Sequence, residues 1–260
     1  MRKWILLAWL PLAGLPGCQT LDIVSPILPM EDATGSLGRA RAPSAADVYV
    51  KLAAEYMKQG QFDLALRNAR TAVETDGGNG EAHNILGLIY QHLKQDALSE
   101  SHLGSAVRLE PRNPFFHNAY GAFLCEKGRY GEADQEFVRA LENPLYPTPE
   151  MALNNAGVCA ARGGDNAKAQ GYFRQALQRS PSLPSALFQM ADLEFQGNEF
   201  ESARNHLRRF HEVSQPSPRS LWLAIRIERA AGNQDGAASF ELLLRSRFPD
   251  AQEVELLRSP

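Results

Sequence analysis

Cysteine is scarce, three residues in 260, and no Cys-x-x-Cys occurs, so there is no sign of a dithiol redox pair. The six histidines show neither His-Glu-x-x-His nor a paired metal-ligand spacing. Gly-x-Ser-x-Gly is missing, and no convincing strand leads into a glycine-rich phosphate loop. These absences point away from an enzyme and leave no cofactor or metal to place. Long apolar runs are lacking too. Trp4–Leu15 is apolar but shorter than the roughly 20 residues that span a bilayer. Nor is there a surplus of positive charge, since 27 Lys and Arg stand against 30 Asp and Glu. That balance speaks against nucleic acid or anionic lipid as the main partner.

What is present is a period. Within residues 82–111, His83, Leu86, Gly87 and Tyr90 fall at i, i+3, i+4 and i+7, one face of a helix. Ser99, Leu103 and Ala106 form a second such face, and Pro111 ends the unit. Small residues stand at Gly87 and Ser99, where the two helices must cross most closely. A step of 34 residues upstream gives Tyr49, Leu52, Ala53, Tyr56, Ala65, Ala69 and Ala72. The same step downstream gives His117, Tyr120, Gly121, Leu124, Ala133, Phe137 and Ala140. The next step, Gly121 to Gly157, is 36 residues, and further steps of 34 reach Ala191 and Ile225.

With Gly87 numbered as position 8 of its copy, position 20 is small in all six copies. Position 15, where the first helix must stop, holds Gly60, Lys94, Gly128, Gly164, Asn198 and Gly232. Gly and Asn tolerate the left-handed conformation that ends a helix, and Lys94 alone departs. The register resembles the tetratricopeptide repeat, a helix–turn–helix unit of 34 residues. It predicts an all-α, right-handed superhelical solenoid of six repeats, at about 46–79, 80–113, 114–149, 150–183, 184–217 and 218–250. The insertion and three prolines within Asn143–Pro149 predict that the second helix of repeat three ends early.

Residues 1–17 read as a signal peptide, with Arg2 and Lys3 ahead of the apolar stretch. Leu15-Pro16-Gly17-Cys18 resembles a bacterial lipobox. The resemblance implies diacylglycerol on the Cys18 thiol, cleavage before Cys18 and acylation of the new amine. The alternative is a plain secretory signal whose small residues happen to precede a cysteine. Acyl chains anchor at about 0.8 kcal/mol per buried methylene. An Asp after the cysteine would imply inner-membrane retention, so Gln19 implies the outer membrane, at its periplasmic face. Cleavage takes two of the 27 basic residues and none of the 30 acids, so the mature chain is about five charges negative. Residues 18–44 carry Pro26, Pro29, Gly35, Gly38 and Pro43 without helical period. They read as a lipidated N-terminus and flexible tether with a reach of about 27 Å. The repeats then fill 45–250, and 251–260 form a tail whose Val254 and Leu257 suggest a short capping helix.

Cys125 and Cys159 fall near the ends of the first helices of repeats three and four. Adjacent first helices pack about 8–10 Å apart. An exported protein meets an oxidising compartment, which favours a disulfide between the two. The alternative is a pair of small buried thiols. His83 and His117 replace the large aromatic usual at position 4 and are expected as half-buried packing residues.

In this repeat family, positions 2, 5, 9, 12 and 13 line the concave groove. Position 5 reads Val50, Asn84, Asn118, Asn154, Phe188 and Trp222. The three asparagines form a ladder whose amides can pair with the peptide groups of an extended ligand. The alternative is that Asn merely suits a solvated helix face. Leu88, Val158, Phe188 and Trp222, with Met57, Phe115, Met151 and Phe195, are the apolar groove candidates. For the C-terminal aromatics the alternative is packing against the last cap.

Three stretches carry a narrower resemblance: Asn118 to Tyr130, Leu145-Tyr146-Pro147, and Met190 to Leu193. With the lipobox, the tether and six repeats, they resemble the PilF/PilW-type lipoproteins of type IV pilus biogenesis. The resemblance implies a monomeric, non-enzymatic pilotin. Such a protein binds the secretin subunit and promotes its outer-membrane localisation and multimerisation, hence pilus biogenesis and stability. The alternative function is a periplasmic adaptor that recruits or regulates peptidoglycan synthases or hydrolases through the same groove.

Overall fold

The computed structural model describes residues 43–257. The segments expected to be signal peptide and tether, with Cys18, lie outside the described residues as far as residue 42, as does the end of the tail from residue 258. Among the described residues there are thirteen helices and no strands. Twelve form six hairpins. The first three are α1 (Ala45–Lys58) with α2 (Phe62–Thr75), α3 (Gly80–His92) with α4 (Asp96–Leu109), and α5 (Pro114–Glu126) with α6 (Tyr130–Leu141). The others are α7 (Pro149–Arg162) with α8 (Asn166–Arg179), α9 (Pro184–Gln196) with α10 (Phe200–Val213), and α11 (Pro218–Ala230) with α12 (Gln234–Arg247). A short α13 (Gln252–Leu256) packs on α11 and α12.

Local chemistry starts the first helices. The Ser44 hydroxyl accepts from the Asp47 N–H at 3.1 Å, and the Asp47 carboxylate accepts from the Ser44 N–H at 2.8 Å. This reciprocal pair satisfies two donors that a bare helix end would leave open. Asn79 and Asn113 cap α3 and α5 with side-chain acceptors. Pro114, Pro149, Pro184 and Pro218 take the first turn, where no helical N–H is lost.

The first helices all end alike. The residue at position 15 has φ between 58° and 84° in every hairpin. The following N–H then reaches a carbonyl five residues back, as from Gln95 to Tyr90 and from Arg129 to Leu124, both at 2.9 Å. This closure satisfies carbonyls that the helix terminus would orphan. Lys94 departs in its side chain only, because its φ of 58° is close to that of the glycines.

In the second, third and fourth hairpins the helices cross where no side chain fits. A Cβ on Gly87 would lie 2.7 Å from Leu103 Cγ, and one on Gly157 would lie 2.6 Å from Phe173 Cε1. Ser99 donates its hydroxyl to the Gly87 carbonyl at 2.9 Å, so the polar group buried at this crossing is satisfied. Opposite the glycines, fully buried Leu103, Phe137 and Phe173 fill the hairpin interiors.

Stacking runs in one dimension. Each first helix touches the next first helix, and each second helix packs on the first helix that follows it. First helices therefore line one side of the solenoid and second helices the other. The one irregularity is α6, two residues shorter than its counterparts. Asn143 holds the loop after it, accepting from the Leu145 N–H at 2.9 Å and donating to the Arg112 carbonyl at 3.1 Å. Tyr146 folds beneath, edge-on to Phe115 at 5.2 Å. Its buried hydroxyl is pushed up to about 12.

Candidate binding groove

The row of first helices decides where each groove candidate points, and the asparagine ladder does not reach solvent. Asn84, Asn118 and Asn154 are 0%, 2% and 0% exposed. The groove contact expected of them is corrected: they lie in the seams between adjacent first helices. A central first helix packs against its hairpin partner and against the helices before and after it. Almost its whole circumference is covered, and residues 152–159 of α7 are all buried. Across the α5–α7 seam, the Asn155 Nδ2 donates to Asn118 Oδ1 at 3.1 Å. The amides of Asn84 and Asn154 meet no hydrogen-bond partner among the described residues. Val158 is also corrected, from groove wall to core, where it clusters with Phe173 and Leu187.

Leu88, Phe188 and Trp222 keep part of their surface open while packing inward. Leu88 lies on the cluster of Leu103 and Phe123. Phe188 lies 5.5 Å from the Phe210 ring, and Trp222 rests on Leu221 and Val254. The C-terminal aromatics are thus packing residues that stay partly open.

Cys125 and Cys159 are brought together, with Cα atoms 5.6 Å apart and the sulfurs bonded. The bond ties α5 to α7 across the seam that holds Asn118 and Asn155. His117 is buried more fully than position 4 suggested. Its Nδ1 lies 2.6 Å from Glu136 Oε2 on α6, and its Nε2 lies 3.0 Å from the Pro111 carbonyl. Burial alone would lower this imidazole, but the Glu136 carboxylate and the Pro111 carbonyl override it and hold the ring above its ordinary value. Both ring nitrogens are used internally. A similar contact joins His206 to Glu194 at 2.7 Å. Among the described residues, no group of three or more His, Cys, Asp or Glu gathers where a metal ion could sit.

Two arginines of the last repeat stack on phenylalanines of the repeat before it. Arg219 lies over the Phe188 ring at 4.7 Å, and Arg226 lies over the Phe195 ring at 4.4 Å. Each pair is 31 residues apart in sequence, so the second pair repeats the first about two turns further along α9 and α11. Asp192 falls between the two phenylalanines on α9. It is buried and accepts from Gln196 Nε2 at 3.1 Å. Burial raises its carboxyl, and Arg219 and Arg226 pull it back. Trp222 stands between the arginines on α11. The sequence reading reaches the three aromatics and not the arginines. The signal for them is the i, i+3, i+7 spacing of Arg219, Trp222 and Arg226 at groove positions 2, 5 and 9.

Comparison with known proteins follows the same geometry. The tetratricopeptide-repeat family matches residues 50–114, 124–184 and 188–252. The chain is 30% identical to the type IV pilus assembly protein PilF of Pseudomonas aeruginosa over 249 residues, 96% of this chain and 95% of that protein. Its fold resembles the crystal structure of PilW, a widely conserved type IV pilus biogenesis factor, with a TM-score of 0.79 and 28% identity. That likeness covers 84% of this chain and 100% of PilW as crystallised. The Pseudomonas aeruginosa PilF structure gives a TM-score of 0.75 at 30% identity, covering 82% of this chain and 96% of that one.

Proposed function

Since this chain belongs to the tetratricopeptide-repeat family, and within it to the PilF/PilW-type proteins of type IV pilus biogenesis, we propose that it is a pilotin. In this reading it is an outer-membrane lipoprotein that binds the secretin subunit of the pilus pore and promotes its localisation and multimerisation. The observation that carries the reading is the extent of the likeness to PilF. It covers 96% of the chain, which leaves out too few residues to miss Cys18. The aligned span therefore includes Cys18 and the segment after it as well as the repeats.

Lipid on Cys18 holds the solenoid at the membrane, and the tether lets it reach an exported subunit nearby. The row of first helices supplies a surface for an extended segment, with Leu88, Phe188 and Trp222 as partly open apolar contacts. The test is capture on the tagged, lipidated protein from detergent-solubilised envelope. Secretin is the expected dominant partner. Peptidoglycan synthases or hydrolases in its place would overturn the pilotin function in favour of the adaptor.

A further inference from the structure

We propose that residues 21–30 of this chain fold back onto α1 and cap the open N-terminal end of the solenoid, on the face that presents Val48 and Leu52. The inference goes beyond the pilotin function and does not depend on it.

Single positions followed through the six copies locate the face. Every later first helix packs on the second helix of the repeat before it. No repeat precedes α1, and its helix contacts among the described residues are with α2 and α3. Position 3 is buried in every later copy, from Ala82 to Ser220, whereas Val48 is 49% exposed. Position 7 is buried or half-buried in every later copy, whereas Leu52 is 40% exposed.

The two seams left open on α1 differ in chemistry. Positions 6 and 10 meet the preceding first helix, as in the Asn155–Asn118 contact and the Cys159–Cys125 bond. In α1 these positions hold Lys51 and Glu55, both exposed, which need no cover. Positions 3 and 7 meet the preceding second helix, as Ala186 and Met190 meet Leu177 of α8. In α1 they hold Val48 and Leu52, one turn apart, so only this seam is apolar. The end of a stack of repeats needs a cap over such a surface. At the other end a short segment serves, since α13 packs on α11 and α12 and buries Val254. One apolar seam beside one polar seam likewise fits a single segment rather than a whole hairpin.

The chain ahead of α1 supplies that segment. Residues 21–30 carry six large apolar side chains, Leu21, Ile23, Val24, Ile27, Leu28 and Met30, and one charge, Asp22. Residues 31–43 hold one large apolar side chain, Leu37. The stretch expected to be a uniform tether thus divides into an apolar part and a polar link. Thirteen residues of link have a root-mean-square reach of about 20 Å. Leu52 lies eight residues beyond Ser44, about 12 Å along the helix, so the link is long enough for the segment to return to the face. With lipid on Cys18, docking leaves only Cys18 to Thr20 as free chain and sets α1 against the membrane. Release of the segment restores the longer reach. This consequence alone rests on the lipoprotein reading.

The test places spin labels at Ser25→Cys and Glu55→Cys in the full-length chain in detergent and reads their separation by pulsed electron resonance. Docking predicts one narrow distance, within about the 21 Å length of α1. A segment that does not dock predicts a broad distribution, with a spread of about 24 Å for the chain between Ser25 and Ser44. Ile27→Ser with Leu28→Ser leaves the solenoid untouched and should broaden the distance. Val48→Ser with Leu52→Ser, on the exposed face, should do the same. A broad distribution with the native segment and face would overturn the proposal, as would a narrow one that survives both pairs of substitutions. A short distance that disappears on dilution with unlabelled chain would overturn it in favour of docking on a second copy. A Ser25 label reached by lipid-soluble oxygen and shielded from a water-soluble nickel chelate would overturn it in favour of insertion into the micelle. Secretin capture tests the pilotin function separately, and neither result decides the other.

Discussion

Asn155 donates to Asn118 at 3.1 Å between α5 and α7, with both side chains buried. The contact makes one member of the asparagine row a structural link between repeats three and four. The other two members, Asn84 and Asn154, are buried without such a link. Three residues at one repeat position thus have two different energetic roles.

Those roles give the first prediction. Asn118→Ala strands the Asn155 amide in a dry seam and should cost about 1–3 kcal/mol. Asn84→Leu removes two buried polar atoms that have no partner. It should be neutral or stabilising by about 1 kcal/mol, because no hydrogen bond is broken. Urea midpoints at constant m-value are the measurement. A large loss for Asn84→Leu with none for Asn118→Ala would contradict the assignment.

Lys94 gives the second. It is held at φ 58°, a conformation that disfavours side chains with a Cβ. Its ion pair with Glu126, at 3.4 Å and largely exposed, contributes little. Lys94→Gly should stabilise the fold by about 1 kcal/mol. Gly128→Ala, at φ 75° in the next repeat, should destabilise by a similar amount. Thermal melts of the two variants should move in opposite directions.

The hairpin crossing gives the third. The Cβ of Gly157→Ala would fall 2.6 Å from the fully buried Phe173 ring. The ring has no solvent to move into, so the cost should be about 1–3 kcal/mol. Gly171→Ala serves as the control, since nothing lies within 4 Å of its added methyl. A stabilising Gly157→Ala would show that the two helices separate easily.

His117 sets a pH dependence. Its folded value is raised above the ordinary 6.5 by Glu136 and the Pro111 carbonyl. Its contribution is therefore fully present below about pH 6.5 and is lost as pH rises through the folded value. His102 and His211 are lowered, chiefly by burial, so they act in the opposite sense and favour the folded state as pH rises. The measurement is the stability difference between the wild type and His117→Gln across pH 5–9. The wild-type advantage should be largest at the acidic end and shrink toward the alkaline end. A flat difference would rule out the linkage.

The fold was legible in the sequence for a physical reason. Each crossing needs a small residue and each helix end needs a left-handed one, and six copies repeat both demands at one spacing. Even Lys94 obeys the register in its backbone. The groove was harder to read. A helical wheel assumes one buried face, whereas α7 buries every residue from Ala152 to Cys159. The wheel therefore cannot separate a seam position such as Asn154 from an open one such as Trp222. The arginine–phenylalanine pairs were hidden for a different reason, since their partners stand on adjacent repeats and meet only when the solenoid stacks.

The most direct test of the pilotin function is an outer-membrane fraction run on a denaturing gel for the heat-stable secretin multimer. Wild type, a deletion strain and a Cys18→Ala strain are compared. The expected result is abundant multimer in the wild type, loss in the deletion, and loss or mislocalisation in Cys18→Ala despite folded repeats. Normal multimer in the outer membrane of the deletion strain would contradict the function proposed for this protein.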